Sequence, residues 1–168
     1  ARIAVYFSPR GGATDAVVQE IHAATQQIFV QAYSFTSAPI AKALLEAHKR
    51  GVKILAVLDK ANETDKYSAA TFLVNAGIQT LIDDQHAIAH NKVMIADNAM
   101  VIVGGRNIAD SYFGVHGESN FRDLDTIAVG PVVRDASAVF DDFWNSEFAV
   151  PYAAFVDTPP TRSDADTA

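Results

Sequence analysis

Short apolar runs alternate along the chain with segments of helical periodicity, and the two kinds are separated by glycine, proline or small polar residues. Residues 2–7 (RIAVYF) predict a strand rich in β-branched and aromatic side chains, closed by Ser8-Pro9-Arg10-Gly11-Gly12. A helix over 14–25 follows, with Thr14 as its cap and Ala16, Val17, Ile21 and Ala24 as its apolar face. Residues 27–35 (QIFVQAYSF) and 52–58 (VKILAVL) are nearly continuous apolar runs, as strands buried on both faces require. Between them a helix starts at a Thr36 or Ser37 cap, holds Pro39 in its first turn and stops at Gly51. Residues 59–66 (DKANETDK) read as a polar loop, 67–75 as a helix closed by Gly77, and 78–82 as a short strand. Further on, 125–129 predicts a strand. Residues 132–148 form an amphipathic helix that buries Val139, Phe140, Phe143 and Trp144. Strand–helix alternation of this kind implies right-handed parallel crossovers. The expected fold class is α/β: a mixed, largely parallel sheet with helices on both faces.

The stretch 89–107, AHNKVMIADNAMVIVGGRN, carries the candidate chemistry. Read as a strand, it places His90, Lys92 and Met94 on one face, with Met94 as packing. Asp97 and Asn98 suit a two-residue hairpin turn, because both residue types tolerate a left-handed backbone. That turn would set Lys92 opposite Val103, His90 opposite Gly105 and Ile88 opposite Asn107. One face would then hold an imidazole, an ammonium and an amide around a gap of about phosphate size, unless a bulge shifts the register. Asp97 falls on the other face and Arg106 points away from the site. Lys60 and Lys66 belong either to a solvated loop or to the contacts of an anionic substrate. The Gly11-Gly12 pair is either a simple turn or a close approach to phosphate.

A chain of 168 residues with 49% hydrophobic content can bury a real core, and one domain over 1–156 is expected, with a polar, proline-containing and disordered tail over 157–168. No run of about 18 apolar residues occurs, so no stable membrane insertion is expected. The absence of cysteine excludes disulfides and thiol catalysis and leaves cytoplasm, periplasm and secretion open. A net charge of -7 argues against a surface coated with cations for nucleic acid, while allowing a local basic groove. Metal-binding spacings are missing, so neither a catalytic metal nor another cofactor is expected.

His90-x-Lys92-x4-Asp97 followed by Gly104-Gly105-Arg106-Asn107 resembles the HxKxxxxD signature and trailing glycine–asparagine motif of the phospholipase D superfamily. Residues 33–97 are similar to its short bacterial endonucleases, which carry one motif per chain and act as homodimers. From Gly104 onward, GGRNIADSYFG, FRDLD and FDDFWNSEFAVP resemble the two-motif, cardiolipin-synthase-like branch. The chain therefore reads as a composite, either a natural intermediate or an engineered graft, with its junction near Asp97 to Gly104.

The resemblance implies His90 as nucleophile through a phosphohistidine, Lys92 and Asn107 as charge-stabilising groups, and Asp97 as structural. It also implies an acidic residue orienting His90; Asp123 matches best, with Glu118 and Asp125 as rivals. Gly105 departs from the serine usual in the endonucleases and leaves only main-chain donors there. One histidine cannot be nucleophile and proton donor in the same step; His22 and His48 fall on helices as surface residues, and His86 and His116, in loops, are weak second candidates. A twofold dimer with two facing His90 side chains supplies the missing imidazole. The leading expectation is a metal-independent, homodimeric nuclease cleaving DNA phosphodiesters. The alternatives are phospholipid hydrolysis or transphosphatidylation, and an inactive half of a two-motif enzyme.

Overall fold

The computed structural model describes residues 2–8, 11–65, 68–86, 89–105, 107–108 and 123–155. Its strands are β1 (Arg2–Ser8), β2 (Gln27–Ala32), β3 (Lys53–Asp59), β4 (Gln79–Asp83), β5 (Val93–Ala96), β6 (Met100–Gly104), β7 (Asp123–Val129) and β8 (Ala149–Pro151). They form one sheet in the order β1-β7-β6-β5-β2-β3-β4-β8. The helices are α1 (Ala13–Ala23), α2 (Ala38–Lys49), the short α3 (Ala61–Thr64), α4 (Ala70–Asn75) and α5 (Val132–Trp144). The mixed α/β class is as expected, but the sheet is not largely parallel: the parallel part is confined to β2–β3–β4, where helical crossovers intervene, and the remaining strand pairings are antiparallel because hairpins and returning strands supply them. Among the described residues no helix is long and apolar enough to cross a membrane. The expected tail over 157–168 lies outside the described residues.

Two apolar layers hold the sheet. Ile28, Val30, Ile54, Ala56, Met94 and Ile102 pack with α1, α2 and α4 on one face. On the other, Phe29, Val57, Ile95 and Val101 pack with Val133 and Phe140 of α5. There Phe29 and Phe140 stack at 4.7 Å, and Trp144 continues the stack. This stripe corrects the expected one: Val139 is 51% exposed, because it sits about a third of a turn from Phe140 around the helix. The helix also stops at Trp144 rather than Phe148. Asn145 Nδ2 donates to Asp141 O and Ser146 Oγ to Phe143 O, satisfying carbonyls at the helix end. At α1 the N-cap is Gly12 (φ 70°) rather than Thr14; the left-handed backbone there favours glycine.

The hairpin register also differs from the expected one. Asp97 and Asn98 do take positive φ (51° and 52°), and Ala99 N–H bonds Ala96 O at 3.0 Å, closing the anticipated turn. However, Ala96 pairs with Met100 and Val93 with Val103, so Ala99 is an extra residue and the ladder shifts by one. Lys92 therefore lies level with Gly104 instead of Val103. His90 and Lys92 also precede the strand, which begins at Val93.

Asp97 clasps this hairpin to the entrance of β2. Its carboxylate accepts bonds from the main-chain N–H of Thr25 (2.8 Å), Gln26 (2.8 Å) and Gln27 (2.9 Å) and from the Thr25 hydroxyl (3.1 Å). Burial alone raises its pKa, but the bonds from Gln27, Thr25 and Gln26 outweigh that and hold it below the ordinary carboxylate value. A depressed carboxylate contributes stability above its unfolded pKa, which is lost as pH falls through the folded one. Urea unfolding of Asp97→Ala should show a loss of about 1–3 kcal/mol at neutral pH. Asp97→Asn should flatten the acid limb of stability against pH; an unchanged acid limb would contradict the clasp.

Candidate active site

Because β5 runs antiparallel to β2, its start lies at the same sheet edge as the carboxyl ends of β2, β3 and β4. Ligands of α/β sheets bind at that edge. His90 is exposed there, and its ring meets Tyr33 edge-on at 4.8 Å between centroids. Lys92 is only 8% exposed; its Nζ donates to His90 O at 2.8 Å and lies 5.6 Å from the Tyr33 ring centre. The ammonium thus closes a short loop of chain back onto His90 while its charge faces an aromatic surface.

The glycines make room for acids. A side chain at Gly104 would collide with the Asp125 carboxylate and with Leu124 O, and one at Gly105 would lie 2.6 Å from Asp123 Oδ1. Asp125 borders a small cavity with Lys92, Gly104, Met94 and Ile108. Asp123 bears on Lys92 electrostatically: burial lowers the lysine pKa, and the Asp123 carboxylate opposes that shift. Asp123 Oδ1 also accepts its neighbour Leu124 N–H at 2.8 Å. No hydrogen bond joins Asp123 to His90 among the described residues; the Asp123 charge acts on Lys92 instead. Gly105 therefore does more than remove a hydroxyl, because the space of a larger residue is occupied by Asp123.

Asn107 lies beyond the end of β6, and Ile88, its expected partner across the hairpin, lies outside the described residues. The adjoining Ile108 bonds the β2–α2 loop through Ser34 O, Thr36 N and Ser37 N. Among the described residues the buried Asn107 side-chain oxygen has no hydrogen-bond partner. Lys60 stands at the start of α3 on the same sheet edge, with no contact to His90 or Lys92 among the described residues. Lys66, Arg106, His116 and Glu118 lie outside the described residues. His22 pairs with Glu46 at the surface, and His86 bonds Asp83 through Nδ1 at 2.8 Å. Among the described residues no group of three or more His, Asp or Glu side chains is placed to hold a metal ion.

Tyr33 escaped the sequence reading. The run QAYSF looked like buried strand, yet β2 ends at Ala32 and leaves this polar-tipped aromatic at the ligand-binding edge. The signal was its place at the carboxyl end of an apolar run.

A family model for the cardiolipin synthase, PLD-like domain matches residues 17–144. The chain belongs to the phospholipase D superfamily. The matched range includes the 97–104 stretch. Phospholipase D of Rickettsia prowazekii is 39% identical over 109 residues, covering 65% of this chain and 53% of that protein. Cardiolipin synthase C of Escherichia coli is 34% identical over 136 residues, covering 70% of this chain and 29% of that one. The chain thus spans about half the length of the former and less of the latter. Among solved structures, the phospholipase D family member Nuc from Salmonella typhimurium superposes with a TM-score of 0.80 at 30% identity, over 90% of this chain and 97% of Nuc.

Removing the Asp123 charge takes away the influence that raises the Lys92 pKa. Asp123→Asn should therefore move the Lys92 titration, followed by the 13Cε NMR shift, to still lower pH. An unmoved titration would contradict the pairing. The sign for stability follows from the same depression: between the folded and unfolded Lys92 pKa values the unfolded state binds more protons, so stability rises with pH. At neutral pH Lys92→Met should unfold at a urea concentration no lower than the parent protein.

Proposed function

We propose that this superfamily member is a metal-independent phosphodiesterase acting through a phosphohistidine on His90, with DNA as its substrate and two chains completing each site. The observation that carries the reading is the joint placement of His90 and Lys92: an exposed imidazole whose main chain is held by a buried ammonium.

A ring nitrogen of His90 attacks phosphorus, and the P–N bond forms as the P–O bond to the leaving group breaks. The leaving oxygen takes a proton from the second chain's imidazole. Water then attacks the phosphohistidine, the P–N bond breaks, and the second imidazole recovers a proton from the water. Lys92 and the Asn107 amide balance charge on the non-bridging oxygens, and the main chain at Gly105 offers a further donor. The Asp123 charge favours the ammonium form of Lys92 against burial, Asp125 is a further acid at the site, Glu118 remains a candidate from the sequence alone, Lys60 is a substrate contact and Asp97 the structural clasp.

Pairing of two chains has a surface to use. Ile3 (66% exposed), Val5 and Phe7 (60%) of β1 join Leu124 of β7 and Val103 of β6 in an apolar strip. The strip faces away from α1 and α2 and lies on the strands that lead to Asp123 and Gly105. Its position supports a second copy seated next to the site.

Phospholipid cleavage or transfer is the second reading, favoured by the family model and by the identity to Rickettsia phospholipase D. An inactive half of a two-motif enzyme is the third. Plasmid nicking in EDTA beside release of headgroup from phosphatidylglycerol separates the first two. The expectation is nicking that survives EDTA, is abolished in His90→Ala without loss of folding, and sediments as a dimer. Phe7→Glu should yield an inactive monomer. Nicking by His90→Ala at the parent rate would remove the nucleophile, and headgroup release without nicking would move the assignment to phospholipid.

A further inference from the structure

Two buried polar residues near the site have no role in the chemistry above. Asp59, the last residue of β3, is 3% exposed, and Asn62 in α3 is 1% exposed. Burying a carboxylate and an amide is costly unless each finds partners, and here both do. Asp59 Oδ1 accepts Ala61 N–H at 2.8 Å, and Oδ2 accepts Ala89 N–H at 2.7 Å, across 30 residues of sequence. The Asn62 amide uses its full bonding capacity: Nδ2 donates to Tyr33 O (2.7 Å) and Asp59 O (3.0 Å), while Oδ1 accepts from Phe35 N (3.2 Å) and Ser68 Oγ (2.9 Å).

The destinations of these bonds are what matter. Ala89 immediately precedes His90. Tyr33 carries the ring that packs on His90 and faces the Lys92 ammonium. The segment beginning at Tyr33 also receives Ile108, next to Asn107, through Ser34 O, Thr36 N and Ser37 N. Asp59 and Asn62 thus form one buried root from which the chain on both sides of the His90–Tyr33 contact is held, with a further tie toward Asn107.

We infer that Asp59 and Asn62 are positioning residues for His90, fixing the imidazole against Tyr33 through the Ala89 amide and the Tyr33 carbonyl. The inference rests on His90 being the reacting group of a phosphodiesterase. Neither residue touches substrate. The bond to Ala89 is charge-assisted, so it holds more strongly than an amide–amide bond. A displacement of about 1 Å in a reacting group costs on the order of 100-fold in rate, which sets the scale of the effect.

The test combines exchange and kinetics. In the unaltered protein the Ala89 amide lies outside any strand, yet it should exchange with solvent as slowly as buried strand amides; exchange at the rate of a free loop would overturn the inference without any variant. Asp59→Asn puts an amide donor against one of two N–H groups and should speed Ala89 exchange at least about tenfold. With bis(p-nitrophenyl) phosphate, Asp59→Asn and Asn62→Asp should lower kcat per folded molecule by about 30- to 100-fold with KM little changed. Ile21→Val, a core truncation in α1 remote from the site, should lower thermal stability and leave kcat per folded molecule at the parent value. A kcat per folded molecule equal to the parent's in both site variants would reduce the pair to a structural role. If the parent protein turns over no phosphodiester, the proposed function fails, and Ala89 exchange still decides whether Asp59 holds the loop.

Discussion

A lysine ammonium largely withdrawn from water at the end of a β-sheet sets conditions that the surrounding residues meet. Removing a charge from water is unfavourable without compensation. Lys92 finds compensation in the His90 carbonyl, the Tyr33 ring and the Asp123 carboxylate. Each partner places a demand on another part of the chain. The carbonyl requires the peptide of His90 to curl over the ammonium before β5 begins. The ring requires β2 to end at Ala32 so that Tyr33 can turn across the edge. The acids require Gly104 and Gly105 to lack side chains, because Asp125 and Asp123 lie over them. The arrangement costs stability and keeps a cation beside the exposed His90.

The fold supplies this edge by an economy of connection. Parallel strands β2, β3 and β4 end where antiparallel β5 begins, so the loop that carries His90 and the carboxyl ends of three strands share one rim. The loop between β4 and β5 crosses the end of β3, where Asp59 receives Ala89. At the far end of the hairpin, Asp97 secures β5 and β6 to the entrance of β2. The strand leading from the histidine is therefore fixed by a buried carboxylate before its start and by a clasping carboxylate after its end.

Much of this was legible in the sequence. The continuous apolar runs marked β2 and β3, and Pro39 and Gly51 bounded α2, because those signals act locally. The motif residues and the positive-φ turn at Asp97 and Asn98 were equally plain. What was not legible depended on single-residue offsets and on distant partners. One extra residue, Ala99, moved Lys92 from Val103 to Gly104, and a turn type alone does not reveal a bulge. Val139 was assigned to the buried stripe because it is apolar, although Val133, Ser137 and Phe140 define a face that excludes it. Asp59 and Asn62 read as a solvated loop since their partners, Ala89, Tyr33 and Phe35, lie about 30 residues away. Tyr33 was hidden inside a run whose last residues leave the sheet.

The central claim is that the exposed imidazole beside this lysine takes the phosphoryl group. Acid-sensitive, alkali-stable phosphate captured by rapid quench during turnover, then mapped by mass spectrometry of the digested protein, tests it most directly. The account predicts a single adduct on the peptide containing His90, the retained half of the substrate as a phosphoryl monoester joined through a P–N bond, absent from His90→Ala. Label on another residue, or full turnover with no covalent adduct at any time point, would contradict it.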